Sequence, residues 1–159
     1  MVAILNNIRS AYNVGSMFRT ADGAGFRKLY LCGVTPTPLD VLGHPRKDIA
    51  KVALGAEKTV EWEKVARTAD CIKRLRDERY VVYALELAPG AIPYHTPALF
   101  KNKKKIALLV GNEVRGISKV LRERCDATIM IPMHGKKESL NVAVAFGIAA
   151  FEIAKYTVK

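Results

Sequence analysis

Short apolar runs alternate with amphipathic stretches along the 159-residue chain. Two runs, "YVVYAL" and "IALLV", are continuously apolar, which is typical of strands covered on both faces in a parallel sheet flanked by helices. The pattern predicts strands at Val2–Leu5, Lys28–Gly33, near Thr59–Trp62, and at Tyr80–Leu87, Ile106–Val110 and Ala127–Pro132. It predicts helices at Val14–Ala24, Asp48–Leu54 and Val65–Glu78, a short helix after Ser118, and a last helix at Leu140–Tyr156. This order predicts an α/β fold with a mostly parallel sheet flanked by helices.

The last predicted helix, which contains "LNVAVAFGIAAFEIA", is apolar on nearly every side. It is too short, and too interrupted by Asn141 and Glu152, to cross a membrane. A helix of this kind has to be covered on several sides. The pattern favours a homodimer in which a second subunit supplies part of that cover, and a central helix in the core of a monomer is the alternative.

Three polar stretches lie next to the ends of predicted strands: "NIRSAYNVGSMFRTADGAGF", "LLVGNEVRGIS" and "IMIPMHGKKESLNVAVAFG". Because ligands gather at the carboxyl ends of strands in an open α/β sheet, we expect the three stretches to converge on one pocket. Structural explanations exist for parts of them: Glu113 and Arg115 would form a salt bridge in a turn, and Ser139 would cap the last helix. Asn141 has no such explanation, because it falls inside the first turn of the predicted helix.

Composition and charge narrow the class of protein. The length and the 50% hydrophobic content suit one domain with a single core. Cys32, Cys71 and Cys125 are too widely separated for a disulfide framework or a CxxC-type zinc site, so we expect reduced thiols and no metal. The apolar run after Met1 is too short for a signal peptide, which predicts a cytoplasmic protein.

The basic character of the chain indicates a polyanionic partner. There are 26 Lys and Arg against 15 Asp and Glu, a formal charge of +11. Nucleic acid is the leading candidate, ahead of an anionic membrane surface, and we expect no membrane association. The lysine-rich segment 101–105 is interpreted as a solvated loop, with phosphate contact as the alternative.

Together the polar stretches resemble the three motifs of the SpoU family of RNA ribose 2′-O-methyltransferases, in the SPOUT superfamily. The matching residues are Asn7-x-Arg9-Ser10-x-x-Asn13-Val14-Gly15-Ser16-x-x-Arg19-Thr20-Ala21, then Gly111-Asn112-Glu113-x-Arg115-Gly116, then Ile131-Pro132-Met133 with Ser139-Leu140-Asn141-Val142-Ala143. Order, spacing and strand context all match. The resemblance implies an α/β fold with a deep C-terminal trefoil knot, an obligate homodimer, and S-adenosylmethionine bound in the knot, with S-adenosylhomocysteine as the product.

The resemblance also implies roles for single residues. Arg19 is the catalytic arginine, and it is surrounded by Asn13, Glu113, Ser139 and Asn141. Because a guanidinium keeps its proton, we expect Arg19 to hold the phosphate of the reacting nucleotide and to stabilise the developing alkoxide. Asn13 is expected to hold Arg19 or the ribose, and Glu113 to pair with a guanidinium. Ser139 and Asn141 would supply hydrogen bonds without adding charge.

Two further sets of residues follow from the same resemblance. The cofactor would be bound, mostly through backbone groups, by Leu85, Gly111, Ile131, Met133, Ser139 and Leu140. The residues expected to contact RNA are Asn7, Arg9, Arg19 and Arg115. For Arg9, a contact with the partner subunit and a surface salt bridge are alternatives.

Many relatives carry an additional N-terminal RNA-binding domain, whereas this chain reaches its first motif within a few residues of Met1. We therefore expect residues 1–159 to be a single SPOUT methyltransferase domain without an RNA-binding extension, which captures tRNA or rRNA on the basic surface of its dimer. Two other functions stay open. A noncatalytic RNA-binding relative would be expected to lose Arg19, Glu113 or Asn141, and a SPOUT base methyltransferase would lack the first motif.

Overall fold

The computed structural model describes residues 1–157 of the chain. Within this range the strands are β1 (Val2–Asn6), β2 (Lys28–Cys32), β3 (Glu61–Val65), β4 (Val81–Leu85), β5 (Ile92–Pro93), β6 (Ile106–Val110) and β7 (Ala127–Met130). The helices are α1 (Ala11–Gly23), α2 (Lys47–Ala53), α3 (Ala56–Thr59), α4 (Thr68–Asp77), α5 (Lys119–Arg122) and α6 (Val142–Thr157), with a 3-10 turn at Pro97–Leu99.

The strands form one parallel sheet in the order β3-β2-β1-β6-β4-β7-β5. The central strands β1 and β6 are buried over their whole length, as their continuous apolar runs predict. The predicted α/β fold with a parallel sheet flanked by helices is confirmed. Because the strands all point the same way, the loops that follow them share one edge of the sheet, the carboxyl edge. The trefoil knot stays a prediction, and the position of β4 between β6 and β7 is consistent with it.

Hydrophobic clusters cover both faces of the sheet. On one face, α1, α2 and α6 bury side chains that include Phe18, Ile49 and Phe146. On the other face, α4 buries Ile72 and Leu75. α1 packs against both α2 and α6. Its contact with α2 is close at Gly15, where an added Cβ would lie 2.7 Å from the carbonyl oxygen of Ile49.

The last helix, α6, is covered on one side only. Phe146 and Ile153 are fully buried, whereas Val144 and Phe151 are 52% and 53% exposed. A helix covered on all sides within its own subunit, the alternative considered above, is therefore excluded. The homodimer stays a prediction. Among residues 1–157, the structure contains no helix with the length and apolar content that a membrane crossing requires.

The sequence-based boundaries are wrong around β3. The strand predicted near Thr59–Trp62 lies at Glu61–Val65, because Thr59 still belongs to α3. Val65 is the last residue of that strand and not the start of the next helix, which begins at Thr68. The short elements β5 and α3 were not predicted. A strand of two residues and a helix of four residues are too short to produce a periodic pattern.

Candidate active site

A cavity of about 370 Å³ opens at the carboxyl edge of the sheet, where β4, β6 and β7 end. Its walls come from the loops after these strands and from the start of α6. All the residues predicted to bind a cofactor line it: Leu85, Gly111, Ile131, Met133, Ser139 and Leu140. Glu113 and Asn141, predicted as catalytic, line it as well. The second and third polar stretches therefore converge on one cavity.

Glu113 ties the first polar stretch to this cavity. Its carboxylate accepts hydrogen bonds from the backbone N–H of Arg9 at 3.0 and 3.2 Å and of Ser10 at 3.0 Å. It also accepts from the Asn13 side-chain amide at 3.0 Å. Burial raises the pKa of Glu113, but these hydrogen bonds outweigh burial, so the pKa lies below its ordinary value. The carboxylate is thus ionised at neutral pH and bound by amides. Among residues 1–157 of this subunit no guanidinium pairs with it, so the expected pairing is not met within the subunit.

Asn13 and Asn141 complete a chain of hydrogen bonds with Glu113. The side-chain oxygen of Asn13 accepts from Asn141 Nδ2 at 3.2 Å. The oxygen of Asn141 accepts from the backbone N–H of Ala143 at 2.9 Å. Asn141 therefore caps α6, so the expectation that it lacks a helical role is wrong, and so is the assignment of the cap to Ser139. The three polar stretches meet through this chain.

Arg19 lies apart from the hydrogen-bonded chain. It is exposed on α1 and is not among the residues that line the cavity. Six residues separate it from Asn13, so the two side chains point about 120° apart around the helix. Asn13 binds Glu113 and Asn141 instead, and the expectation that it holds Arg19 is not met in this subunit.

The other residues predicted to contact RNA lie outside the cavity lining. Asn7 has a left-handed backbone with φ of 55°, and its side-chain oxygen accepts from the Val34 N–H at 3.1 Å. Asn7 thus braces the loop after β2. Arg9 and Arg115 are exposed. Within residues 1–157 neither forms a salt bridge, so the salt-bridge alternatives for both are not supported.

Sequence reasoning assigned no role to two residues that shape the cavity, Asn112 and Glu86. Asn112 donates to the backbone oxygen of Asn7 at 2.8 Å and so holds the first and second polar stretches together. Glu86 lines the cavity, and its carboxylate accepts from the Ile117 N–H at 2.7 Å. The signal for Glu86 is a charged residue directly after a buried strand. The predicted strand Tyr80–Leu87 extends past Glu86, so this residue is not recognised as part of a strand-end loop.

Residues 1–151 match the model of a family described as the SpoU rRNA Methylase family. The chain is 33% identical over 155 residues to the 23S rRNA (guanosine-2′-O-)-methyltransferase RlmB of Ralstonia nicotianae, covering 98% of this chain and 58% of that protein. It therefore spans less than two thirds of the length of this relative.

Solved structures give the same picture of the fold. An rRNA methyltransferase from Sinorhizobium meliloti with AdoMet bound superposes with a TM-score of 0.87 at 31% identity, covering 99% of this chain and 57% of that chain. The TrmH/SpoU tRNA modifying enzyme of A. aeolicus superposes with a TM-score of 0.80 at 28% identity, covering 98% and 74% of the two chains.

Proposed function

The chain belongs to the SpoU rRNA methylase family, and from this we propose that it is an S-adenosylmethionine-dependent ribose 2′-O-methyltransferase acting on tRNA or rRNA. The observation that carries the proposal is the cavity at the carboxyl edge, which is lined by every residue predicted to bind the cofactor. The hydrogen-bonded chain from Glu113 through Asn13 to Asn141 lies at the same cavity. The similar proteins supply the two substrate classes: RlmB is named for rRNA and the A. aeolicus enzyme for tRNA.

The cavity suits S-adenosylmethionine in size and chemistry. Its volume of about 370 Å³ is within the range of small-molecule sites. Leu85, Ile131 and Met133 offer apolar walls to the adenine, beside backbone donors and acceptors at the strand ends. Glu86 and Glu138 also line the cavity, and their carboxylates complement a cationic ligand. The cofactor supplies a methyl group on a positively charged sulfur.

The chain's own residues then have to hold the ribose and manage the proton of its 2′-hydroxyl. We assign the hydrogen bonds to the ribose to Ser139 and Asn141, because both line the cavity and neither adds charge. Glu113 is a poor proton acceptor, because its low pKa and its hydrogen bonds from N–H groups both stabilise the ionised form. We assign it the task of fixing Asn13 and the first motif beside the cavity.

The proposal includes a homodimer formed by the face that α1 and α6 share. Val144 and Phe151 of α6 and Tyr12 of α1 are exposed by 52%, 53% and 58%. These helices are neighbours: an added Cβ on Gly23 of α1 would lie 3.6 Å from the Phe151 ring. A second copy of the chain seated on this face would bury this apolar surface.

The same dimer gives Arg19 a role. Arg19 follows Tyr12 by seven residues and so lies on the same side of α1. It would therefore lie at the proposed interface, although it does not line its own subunit's cavity. We propose that its guanidinium acts across the interface, where it binds the phosphate of the reacting nucleotide and stabilises the developing alkoxide at the partner's cavity.

Incubation with labelled S-adenosylmethionine and either bulk tRNA or bulk rRNA tests the function. We expect label in 2′-O-methyl nucleosides, which nucleoside analysis identifies. Label in a methylated base would instead assign the protein to the base methyltransferases. RNA binding without label transfer, at a cofactor concentration that saturates the cavity by calorimetry, would assign it to the noncatalytic relatives.

A further inference from the structure

The loop between β2 and α2 contains a hydrogen-bonded projection at residues 38–46, here called the finger. Its two ends are joined by a hydrogen bond from the Arg46 N–H to the Pro38 oxygen at 2.8 Å. Inside it, the Asp40 carboxylate accepts from the backbone N–H of Leu42 at 2.8 Å and of His44 at 2.9 Å. These contacts fix the backbone of the finger before anything binds to it.

The tip of the finger is apolar. Val41 is fully exposed and Leu42 is 76% exposed. Single exposed aliphatic residues are common on protein surfaces, but two adjacent ones at the tip of a hydrogen-bonded projection are poised for contact. Binding through such a tip loses little conformational entropy, because the backbone is already ordered.

The finger stands on the same edge of the sheet as the cavity. The loop from which it rises is held to the first motif by the hydrogen bond from Val34 to Asn7. After the finger, the chain enters α2, which packs against α1 at Gly15, four residues before Arg19. A polymer that lies over Arg19 therefore passes close to α2, the helix that directly follows the finger.

The surroundings of the tip favour RNA as its partner. Lys47 and Lys51 are exposed and lie one turn apart on the same side of α2. The whole chain carries a formal charge of +11. Cations of this kind contact phosphates, and RNA offers unstacked bases in loops and bulges whose faces are apolar.

We propose that the finger is an RNA-docking element, in which Val41 and Leu42 pack against an unstacked base while Lys47 and Lys51 contact the neighbouring phosphates. The inference rests on the proposed function, since it takes RNA as the substrate. It adds a contact surface outside the cavity and makes the finger a selector for RNA with unpaired nucleotides.

The first test compares two labelled RNAs with equal numbers of phosphates: a hairpin with an unpaired loop, and a duplex without unpaired bases. The double variant Val41→Ser/Leu42→Ser loses the apolar surface that would be buried against a base, so it should bind the hairpin about tenfold more weakly and the duplex as wild type does, by fluorescence anisotropy. The matched control is Val120→Ser, an exposed apolar residue on α5, which should leave both affinities unchanged. Unchanged cofactor affinity by calorimetry confirms that the variant is folded.

Three outcomes of this test would overturn the proposal. They are hairpin binding by the double variant at wild-type affinity, equal weakening for hairpin and duplex, and a loss of oligomeric mass by light scattering. The last result would make the tip a contact between copies of the chain. If wild type binds neither RNA, the proposed function fails as well, so the two failures are distinguishable.

The second test addresses the phosphate contacts. Lys47→Ala/Lys51→Ala should weaken binding of both RNAs and lower the slope of log affinity against log salt by about 1.5. Lys103→Ala/Lys104→Ala is the matched control, because these exposed lysines precede β6 and lie at the opposite, amino edge of the sheet. An equal change of slope in the two pairs would mean a diffuse basic surface and would overturn the assignment.

Discussion

The position of Glu113 turns three separate stretches of sequence into one site. A carboxylate with four hydrogen bonds from N–H groups is held more firmly than one in a single surface salt bridge. It satisfies the backbone donors of Arg9 and Ser10 just ahead of α1, and it orients Asn13 toward Asn141. The main role of this negative charge is therefore to hold Asn13 and the start of α1 in position.

This role predicts how the stability of a Glu113 variant depends on pH. The folded-state pKa of Glu113 is lowered, so its carboxylate contributes stability that is present above the unfolded-state pKa and is lost as the pH falls through the folded-state pKa. Glu113→Gln should therefore be less stable than wild type at pH 7, and the difference should shrink as the pH falls from about 5 to about 3. Urea unfolding across this range measures it. A difference that stays constant would show that the charge of Glu113 does not contribute.

Arg19 raises a different question, because it is exposed and has no contact with the cavity of its own subunit. If it acts on the ribose and phosphate in the transition state, Arg19→Ala should lower kcat at least about 100-fold and leave cofactor affinity within a few fold. Arg19→Lys should recover little, since an ammonium lacks the planar fork of a guanidinium.

The matched control for Arg19 is Arg67→Ala, an exposed arginine just before α4 with a long 3.8 Å contact to Asp70. It should retain wild-type kcat. An ordinary phosphate contact at Arg19 would instead raise KM, leave kcat unchanged and make the salt dependence shallower by about one ion. Normal turnover of Arg19→Ala at saturating RNA would remove Arg19 from the chemistry.

At the scale of elements, the residue that caps α6 has two tasks. Asn141 caps the helix through its oxygen and reaches Asn13 through its nitrogen. Asn141→Ser keeps a good cap but loses the amide nitrogen, so we expect near wild-type stability with reduced kcat. Asn141→Ala loses both and should also unfold about 1 kcal/mol more easily. Equal activity of the Ser variant and wild type would show that the contact with Asn13 is dispensable.

The contrast between the buried strands β1 and β6 and the edge strand β3 shows what the sequence could predict. Buried strands such as β1 and β6 leave continuous apolar runs, and their predicted positions agree with the structure within a residue. β3 is an edge strand with the sequence EWEKV, which has no such run, and its position was missed. Most residues of the second and third motifs could be assigned to one cavity because they follow strands of one parallel sheet.

Individual contacts within the site could not be predicted in the same way. Whether Glu113 binds a guanidinium or backbone amides depends on the path of the chain after Asn7, where the left-handed backbone turns Arg9 and Ser10 toward the carboxylate. The finger likewise has no periodic pattern, because its shape comes from hydrogen bonds to Asp40.

At the scale of the whole molecule, the apolar face of α6 predicts assembly. Phe151→Lys places a charge in the proposed interface and should convert a dimer into a species of 17.5 kDa by light scattering at micromolar concentration. Val120→Lys, which alters a more exposed apolar residue on α5 (62% against 53% for Phe151), should remain dimeric. Wild-type protein that is already monomeric would refute the dimer.

Mixed dimers test whether Arg19 acts at the cavity of the partner subunit. Homodimers of Arg19→Ala subunits and of Asn141→Ala subunits are each expected to have strongly reduced activity. When the two are unfolded together and refolded at equal concentration, half of the dimers are mixed. If Arg19 acts across the interface, each mixed dimer has one complete site, with Asn141 from one subunit and Arg19 from the other. Activity should then recover to about a quarter of wild type, measured as label transferred to RNA per subunit. If Arg19 acts within its own subunit, both sites of every mixed dimer lack one residue, and activity should stay at the level of the separate variants.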